Sequence, residues 1–312
     1  MTAFVVINPR SDNGRTKREW TAISQALESA FPSFEFAFTR HRGEAPKLVR
    51  EALCEGHHEI IAIGGDGTIN EAVNGFFDPS GPVSPDAVFG FVTSGTGGDF
   101  RKTFGIGEDL AAGLLRLRSA RTRSIDIGRV TCLGPGGTSV VRHFVNIGSF
   151  GLSGVIVDSV NRARIAKLFG GPFAFAFHSA AAMLLYRPRG VRIILDNGFD
   201  EIASVSTVAI ANGQYFGGGM RVAPNARPDD GLFDVVIMGA SAKGRSLADL
   251  QQIYTGEHLK NPAVRVIRAN KVVAAPIAEA GSKPVLIETD GESVGMLPAT
   301  FEILPKALNI RC

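Results

Sequence analysis

Short, mostly apolar runs alternate with longer stretches of helical periodicity in the first third of the chain. Phe4 to Ile7, Phe34 to Phe38, Ile60 to Ile63 and Val88 to Val92 are the short runs. Ile60 to Ile63 is rich in β-branched residues, as a strand buried on both faces is. Between them, Trp20 to Phe31 and Ala45 to Glu55 read as helices, and a third helix opens at Thr68 with Ile69, Ala72 and Val73 on one face. Such alternation predicts an α/β domain with a layered parallel sheet and its ligand at the carboxyl ends of the strands. Past about Ser124 the pattern changes. SIDIGRV, HFVNIGSF, VRIILD, SVSTVAIAN, LFDVVIM, KVVAAP and PVLIETD are short, β-rich and separated by Gly, Pro and Asp turns, which predicts an antiparallel β-sandwich. The expected division is therefore 1–123 and 124–302, with the boundary near Arg121 to Arg123.

Composition agrees with two cores: the chain has 312 residues, 45% of them hydrophobic. A net charge of +3, with basic residues scattered and not interleaved with aromatics, gives no reason to expect a nucleic-acid partner. Cys54, Cys132 and Cys312 are far apart and form no CxxC, so neither a disulfide framework nor a zinc site is indicated and a reducing compartment is expected. The opening residues run straight into the strand-like FVVI, without the charged start and long apolar core of a signal peptide.

Candidate chemistry concentrates in Glu59 to Gly75, EIIAIGGDGTINEAVNG. Its strand ends at Gly64 and Gly65, where the missing Cβ permits positive φ and lets a phosphate approach the main chain. The helix that follows directs unbonded N–H groups and the positive end of its macrodipole at the same place. Asp66 would repel a bound phosphate unless a cation such as Mg2+ lay between them. GGDG could be a plain turn; the strand before it and the amphipathic helix after it favour the phosphate site. There is no GxxxxGK[ST] loop and no GxGxxG after a strand. A second glycine loop, Gly95 to Asp99, also follows a strand and adds the Thr96 hydroxyl and the Asp99 carboxylate. In TDGE, Asp290 and Glu292 flank a glycine after the run Val285 to Ile287, at a strand-to-turn position that doubles as an Asp-Gly hairpin signal. ARPDDGLFDV presents oxygen ligands on a loop before a strand, suited to a hard cation or to a solvated turn. Asn161 to Arg192 has an apolar centre flanked by Arg162, Arg164, Lys167, Arg187, Arg189 and Arg192. Gly170, Gly171 and Pro172 interrupt it, leaving too little clean helix for about 30 Å of hydrocarbon, so it reads as either a buried or an interfacial helix.

The GGDGT segment, together with FVVINPRSDNGR, SGTGGDFRKTFG, NIGSFG, NGQYFGGGMRVAPNARPDDGLFDVVIM and TDGE in that order, resembles the diacylglycerol kinase catalytic-domain family, and more distantly the NAD kinases. The resemblance spans nearly the whole chain. It implies an ATP-dependent lipid kinase that phosphorylates a primary hydroxyl, diacylglycerol by default. Ceramide or a sphingoid base is the near alternative; an NAD kinase and a non-catalytic lipid-binding protein are the further ones. By resemblance, Asn8, Thr39, Gly64, Gly65, Gly67, Thr68, Asn70, Gly95, Thr96 and Asp290 meet the nucleotide. Glu292 accepts the proton of the lipid hydroxyl, and Asp66 and Asp99, joined by Asp126, hold Mg2+. A structural Mg2+ falls to Asp230 and the main-chain oxygens of Arg227 and Leu232, and the tail, about 303–312, returns to the first domain. The implied setting is cytoplasmic, at the inner membrane face, with membrane contact through 161–192; a homodimer is left open. One departure stands out: Gly98 replaces the Asn usual in the family, removing an amide that could bond nucleotide or loop.

Overall fold

In a computed structural model of the chain, the described residues are 2–94, 98–119, 121–165, 186–239, 247–277 and 283–312. The first part alternates strand and helix: β1 Ala3–Ile7, α1 Ser11–Arg18, α2 Trp20–Ala30, β2 Phe34–Phe38, α3 Ala45–Cys54, β3 Glu59–Gly64 and α4 Asp66–Gly75. A small ribbon follows, β4 Phe77–Asp78 with β5 Gly81–Pro82, then β6 Val88–Thr93, α5 Asp99–Thr103 and α6 Leu110–Ser119. β1 pairs in parallel with β2 and β3, and β3 in parallel with β6. The apolar runs have a direct cause. Val5, Ile7, Ile61 and Ile63 pack on one side with Leu27, Leu114 and Leu117, while Val6, Ile60 and Ala62 pack on the other with Val49, Ile69 and Val73. Each fully buried Ile or Val contributes roughly 1.5–3 kcal/mol, so neither face tolerates a polar residue.

The remainder is antiparallel: β7 Thr122–Leu133, β8 Ser139–Phe144, β9 Ile147–Gly151, α7 Leu152–Ile165, β10 Arg189–Leu195, β11 Asp200–Ala211 and β12 Phe233–Gly239. A helix at Leu247–Thr255 precedes β13 Val264–Ala269, β14 Lys271–Pro276, β15 Leu286–Thr289 and β16 Glu292–Arg311. Their inward side chains, among them Phe144, Phe150, Phe233 and Phe301, form one core. β16 determines how the two parts meet. It begins at Glu292, pairs antiparallel with β15, β14 and β7, and ends with Asn309, Ile310 and Arg311 paired in parallel with Val88, Phe89 and Gly90 of β6. One strand thus runs from the TDGE turn to the edge of the first sheet. The apolar centre of 161–192 falls on residues outside those described. No helix among the described residues is long and apolar enough to cross a membrane.

Candidate active site

The carboxyl ends of the four parallel strands are knit together before any ligand is considered. Asn8 N–H donates to Ile63 O (3.0 Å), Thr39 N–H to Ile7 O (2.8 Å) and Ser94 N–H to Gly64 O (2.9 Å). They border a cavity of about 940 Å³. Asn8, Thr39, Gly65, Asp66, Gly67, Thr68, Asp99, Asp290 and Glu292 all line it, so residues far apart in sequence converge on one place. Gly64 and Asn70 are not among its lining residues, and Gly95 and Thr96 fall outside the described residues.

The glycine corner differs from expectation in two respects. The helix starts at Asp66, two residues before Thr68, with Gly65 as its N-cap at φ −82°, ψ −179°. Neither Gly64 nor Gly65 takes positive φ. Space is what demands Gly64: a Cβ there would lie 2.6 Å from Cβ and Oγ1 of Thr68. Thr68 and Ile69 N–H already bond Gly65 O, while the first turn of the helix faces the cavity. The first loop is also not a plain loop. α1 begins at Ser11, though Asp12, Asn13 and Gly14 have positive φ, and Ser11 Oγ donates to Asn8 O (2.7 Å). Asn8 is anchored as well, its Nδ2 donating to Thr68 Oγ1 (3.0 Å).

Asp66 uses one carboxylate oxygen and not the other. Oδ2 accepts from Gly98 N–H (2.7 Å) and Asp99 N–H (3.2 Å), which binds the two glycine loops together, while Oδ1 is buried without a partner. Burial and the nearby Asp99 carboxylate raise its pKa, against those main-chain donors. An unpaired buried carboxylate oxygen beside a second carboxylate is the donor set a hard cation satisfies. Asp99 accepts from Gly218 N–H (2.7 Å) and pairs with Lys102 (3.3 Å), so the FGGGM stretch folds over this corner.

Asp126 does not join them. Fully buried, it accepts from Gly231 N–H (2.7 Å) and Lys306 N–H (2.8 Å), bracing the second acidic loop against β16 and leaving its carboxylate no access to the cavity. In that loop Asp230 accepts from Leu232 N–H (3.2 Å) and pairs with Arg268, which also lies 3.4 Å from Asp234, while the Arg227 side chain pairs with Asp229. Among the described residues no group of three or more His, Cys, Asp or Glu side chains gathers as a metal cluster.

TDGE forms a two-residue hairpin between β15 and β16: Thr289 faces Glu292, with Asp290 at φ 48° and Gly291 at φ 81°. The Asp290 carboxylate is fully engaged, accepting from Val145, Asn146 and Ile147 N–H (2.9, 3.0 and 2.9 Å) and from Asn70 Nδ2 (2.8 Å). Burial pushes its pKa up to about 6 despite these donors. It thus locks the hairpin to the β8–β9 junction and to α4, and Glu292 is delivered over the first turn of α4. A Cβ added at Gly67 would lie 3.0 Å from Glu292 Oε1. Glu292 pairs with Arg42 from the loop after Thr39. Two residues here escaped the sequence. Arg42 belongs to a stretch, RHRG, that carries no recognisable pattern. Glu288 looks like an ordinary strand position, yet it is 2% exposed, bonds the Ser149 hydroxyl and Gly291 N–H, and has its pKa pushed by burial up to about 7.

A glycine corner at the start of α4, the buried carboxylates beside it and a further carboxylate brought over it by a hairpin of the sandwich thus meet in one cavity of a two-domain fold. The Diacylglycerol kinase catalytic domain matches residues 2–130, and the YegS C-terminal NAD kinase beta sandwich-like domain matches residues 146–312. The chain is 28% identical to the diacylglycerol kinase of Staphylococcus aureus (strain bovine RF122 / ET3-1), over 99% of this chain and 91% of that one. It is equally 28% identical to the diacylglycerol kinase of Staphylococcus haemolyticus (strain JCSC1435), over 99% and 87%. A solved Bacillus anthracis str. Sterne structure superposes with a TM-score of 0.76 at 22% identity, covering 99% of this chain and 94% of the other. The chain belongs to the diacylglycerol kinase catalytic-domain family, with an N-terminal catalytic domain and a C-terminal β-sandwich-like domain.

Proposed function

We propose that the protein is an ATP-dependent lipid kinase that transfers the γ-phosphate to the primary hydroxyl of diacylglycerol, with Glu292 as the base. One observation carries the assignment of roles: the Glu292 carboxylate and the unpartnered Oδ1 of Asp66 flank the same N-terminal turn of α4, in the same cavity. Mg2+ bound by Asp66 and Asp99 would neutralise the phosphate charge there. The protein's own part is to align and to move one proton. The first-turn amides of α4 receive phosphate oxygens, Arg42 exchanges Glu292 for the γ-phosphate, and Glu292 takes the hydroxyl proton as the lipid oxygen attacks. Since the transition state is largely dissociative, alignment and charge stabilisation account for most of the barrier reduction. Asp290, with its carboxylate already saturated, acts as a positioning residue. A second Mg2+ at Asp230, Arg227 and Leu232 would have to displace Arg268 and would hold the loop, with no part in the transfer. The lipid is met at the cytoplasmic face of a membrane, and 161–192 is the assigned contact.

The test is transfer of labelled γ-phosphate from Mg-ATP to dispersed diacylglycerol, ceramide, sphingosine and phosphatidylglycerol, with NAD in parallel, resolved by chromatography. Labelled diacylglycerol is the expected product. Label in NADP alone, or in no lipid, would overturn the reading.

A further inference from the structure

A second cavity, of about 670 Å³, lies between α3, the Phe77–Pro79 turn and the sandwich strands β7 and β8. Its character is cationic. Lys47, Arg50, Arg129 and Arg142 line it, against only two acids, Glu51 and Asp78. Asp78 is absorbed by its own turn, accepting from Ser80 N–H and hydroxyl and from Gly81 N–H. Glu51 lies 3.7 Å from Lys47. Arg129 pairs with Glu302 (2.8 Å), but Lys271 shares that carboxylate (3.0 Å). Arg50 donates to the Asn74 and Phe77 carbonyls at the carbonyl end of α4 and lies close enough to Asp78 to help lower that carboxyl's pKa. Arg142 sits opposite Val130 in the β7–β8 ladder, and its exposed side chain makes neither a hydrogen bond nor an ion pair among the described residues. Positive charge is therefore left over inside a concave site.

His143 is 7% exposed and stacked on Phe77 at a centroid distance of 4.4 Å. Burial, then Arg129, Arg142 and Arg50, hold its pKa down to about 4. The same residue is wired to the catalytic cavity. Its carbonyl accepts from Asn74 Nδ2 (2.9 Å) and Asn70 Nδ2 (3.1 Å), its N–H donates to Asn74 Oδ1 (3.0 Å), and Asn70 Nδ2 also reaches Asp290 (2.8 Å).

We infer that this cavity is a binding site for a phosphate-bearing anion, held by Arg142, Arg129, Arg50 and Lys47 behind the catalytic helix. Guanidinium forks match phosphate geometry better than an ammonium does, and a dianion suits several converging cations. The shared chemistry is the phosphate group, whether free in solution or on a lipid headgroup. The inference stands apart from the proposed reaction, because nothing in it requires turnover.

The test uses the full chain with nitrogen-15-labelled histidine imidazoles, observed by NMR near pH 6 while inorganic phosphate is added, or phosphatidylcholine bicelles with and without phosphatidic acid. An anion beside His143 favours the imidazolium, so its resonance should move towards the protonated form. His41 lines the catalytic cavity and separately reports phosphate bound there. Arg142→Glu, at an exposed position, should weaken the His143 response at least tenfold and leave that of His41 unchanged. A response to inorganic phosphate identifies a free phosphate as sufficient; a response confined to phosphatidic acid bicelles identifies a headgroup. No movement of His143, equal movement with pure phosphatidylcholine, or a response that survives Arg142→Glu would overturn the site.

Discussion

Replacing Glu288 by Gln should stabilise the protein in neutral solution and leave it nearly unchanged in acid. The carboxyl group is 2% exposed, beneath the hairpin that carries Glu292, and its pKa is pushed up from 4.5 to about 7, by burial first and by Asp290 and Asp99 to a smaller extent. A folded-state value above the unfolded one means that folding favours the protonated form. Its contribution is thus fully present below pH 4.5 and is lost as pH rises through about 7. The whole interval corresponds to roughly 3 kcal/mol carried by the wild type above pH 7. Gln keeps an acceptor for Gly291 N–H and a donor for Ser149 Oγ, so no hydrogen bond is lost. Urea unfolding followed by far-UV circular dichroism at about pH 4.5, 6 and 8 measures the effect. His143, whose lowered value acts in the opposite sense, is present in both proteins and cancels in the difference, whereas Asp290, coupled to Glu288, is itself relieved in the variant and adds in the same direction. The variant should gain nothing near pH 4.5 and roughly 3 kcal/mol by pH 8. A difference between the two proteins that does not change with pH would refute the reasoning.

Gly64→Ala should cost about 1–3 kcal/mol and weaken nucleotide binding, because the new methyl lies 2.6 Å from Thr68; denaturant unfolding and ATP titration check it, and unchanged affinity would show that the first turn of α4 can shift freely. Asp290→Ala should destabilise by roughly 3–5 kcal/mol, since it strands the Val145, Asn146 and Ile147 amides and the Asn70 side chain, and the thermal midpoint reads this directly. Arg42→Ala, at an exposed side chain, should leave the thermal midpoint unchanged and raise KM for ATP about tenfold, the effect of one lost charge-assisted contact. An unchanged KM would mean that Arg42 serves Glu292 alone.

β1, β3 and β6 were legible because nearly all of their residues are buried; β2, with Phe36 46% exposed, lies at the edge of the sheet. β1, β2, β3 and β6 match the apolar runs within a residue or so, and no propensity conflict arises. GGDGT and TDGE were legible because a strand that turns straight into a helix and a tight hairpin both restrict residue choice. The physical reason for Gly64 was not. Positive φ is the usual demand on a turn glycine, and only the packed structure reveals the clash with Thr68. Asp126 shows the same limit. Its carboxylate resembles those of Asp66 and Asp99 in sequence, yet the pairing of β7 with β16 turns it towards Gly231 and Lys306. The Glu288–Ser149 bond and the Asn70–Asn74–His143 links join residues up to 139 positions apart, a relation that no local pattern encodes.

Glu292 is where the account is most exposed. Mixed micelles of diacylglycerol with labelled Mg-ATP, compared for the wild type and Glu292→Gln with ATP binding measured alongside, test it most directly. Labelled lipid from the wild type is predicted, with turnover reduced about 10²–10⁴-fold in the variant while ATP affinity stays within a few-fold. Full turnover in Glu292→Gln, or no labelled diacylglycerol from the folded wild type, would contradict it.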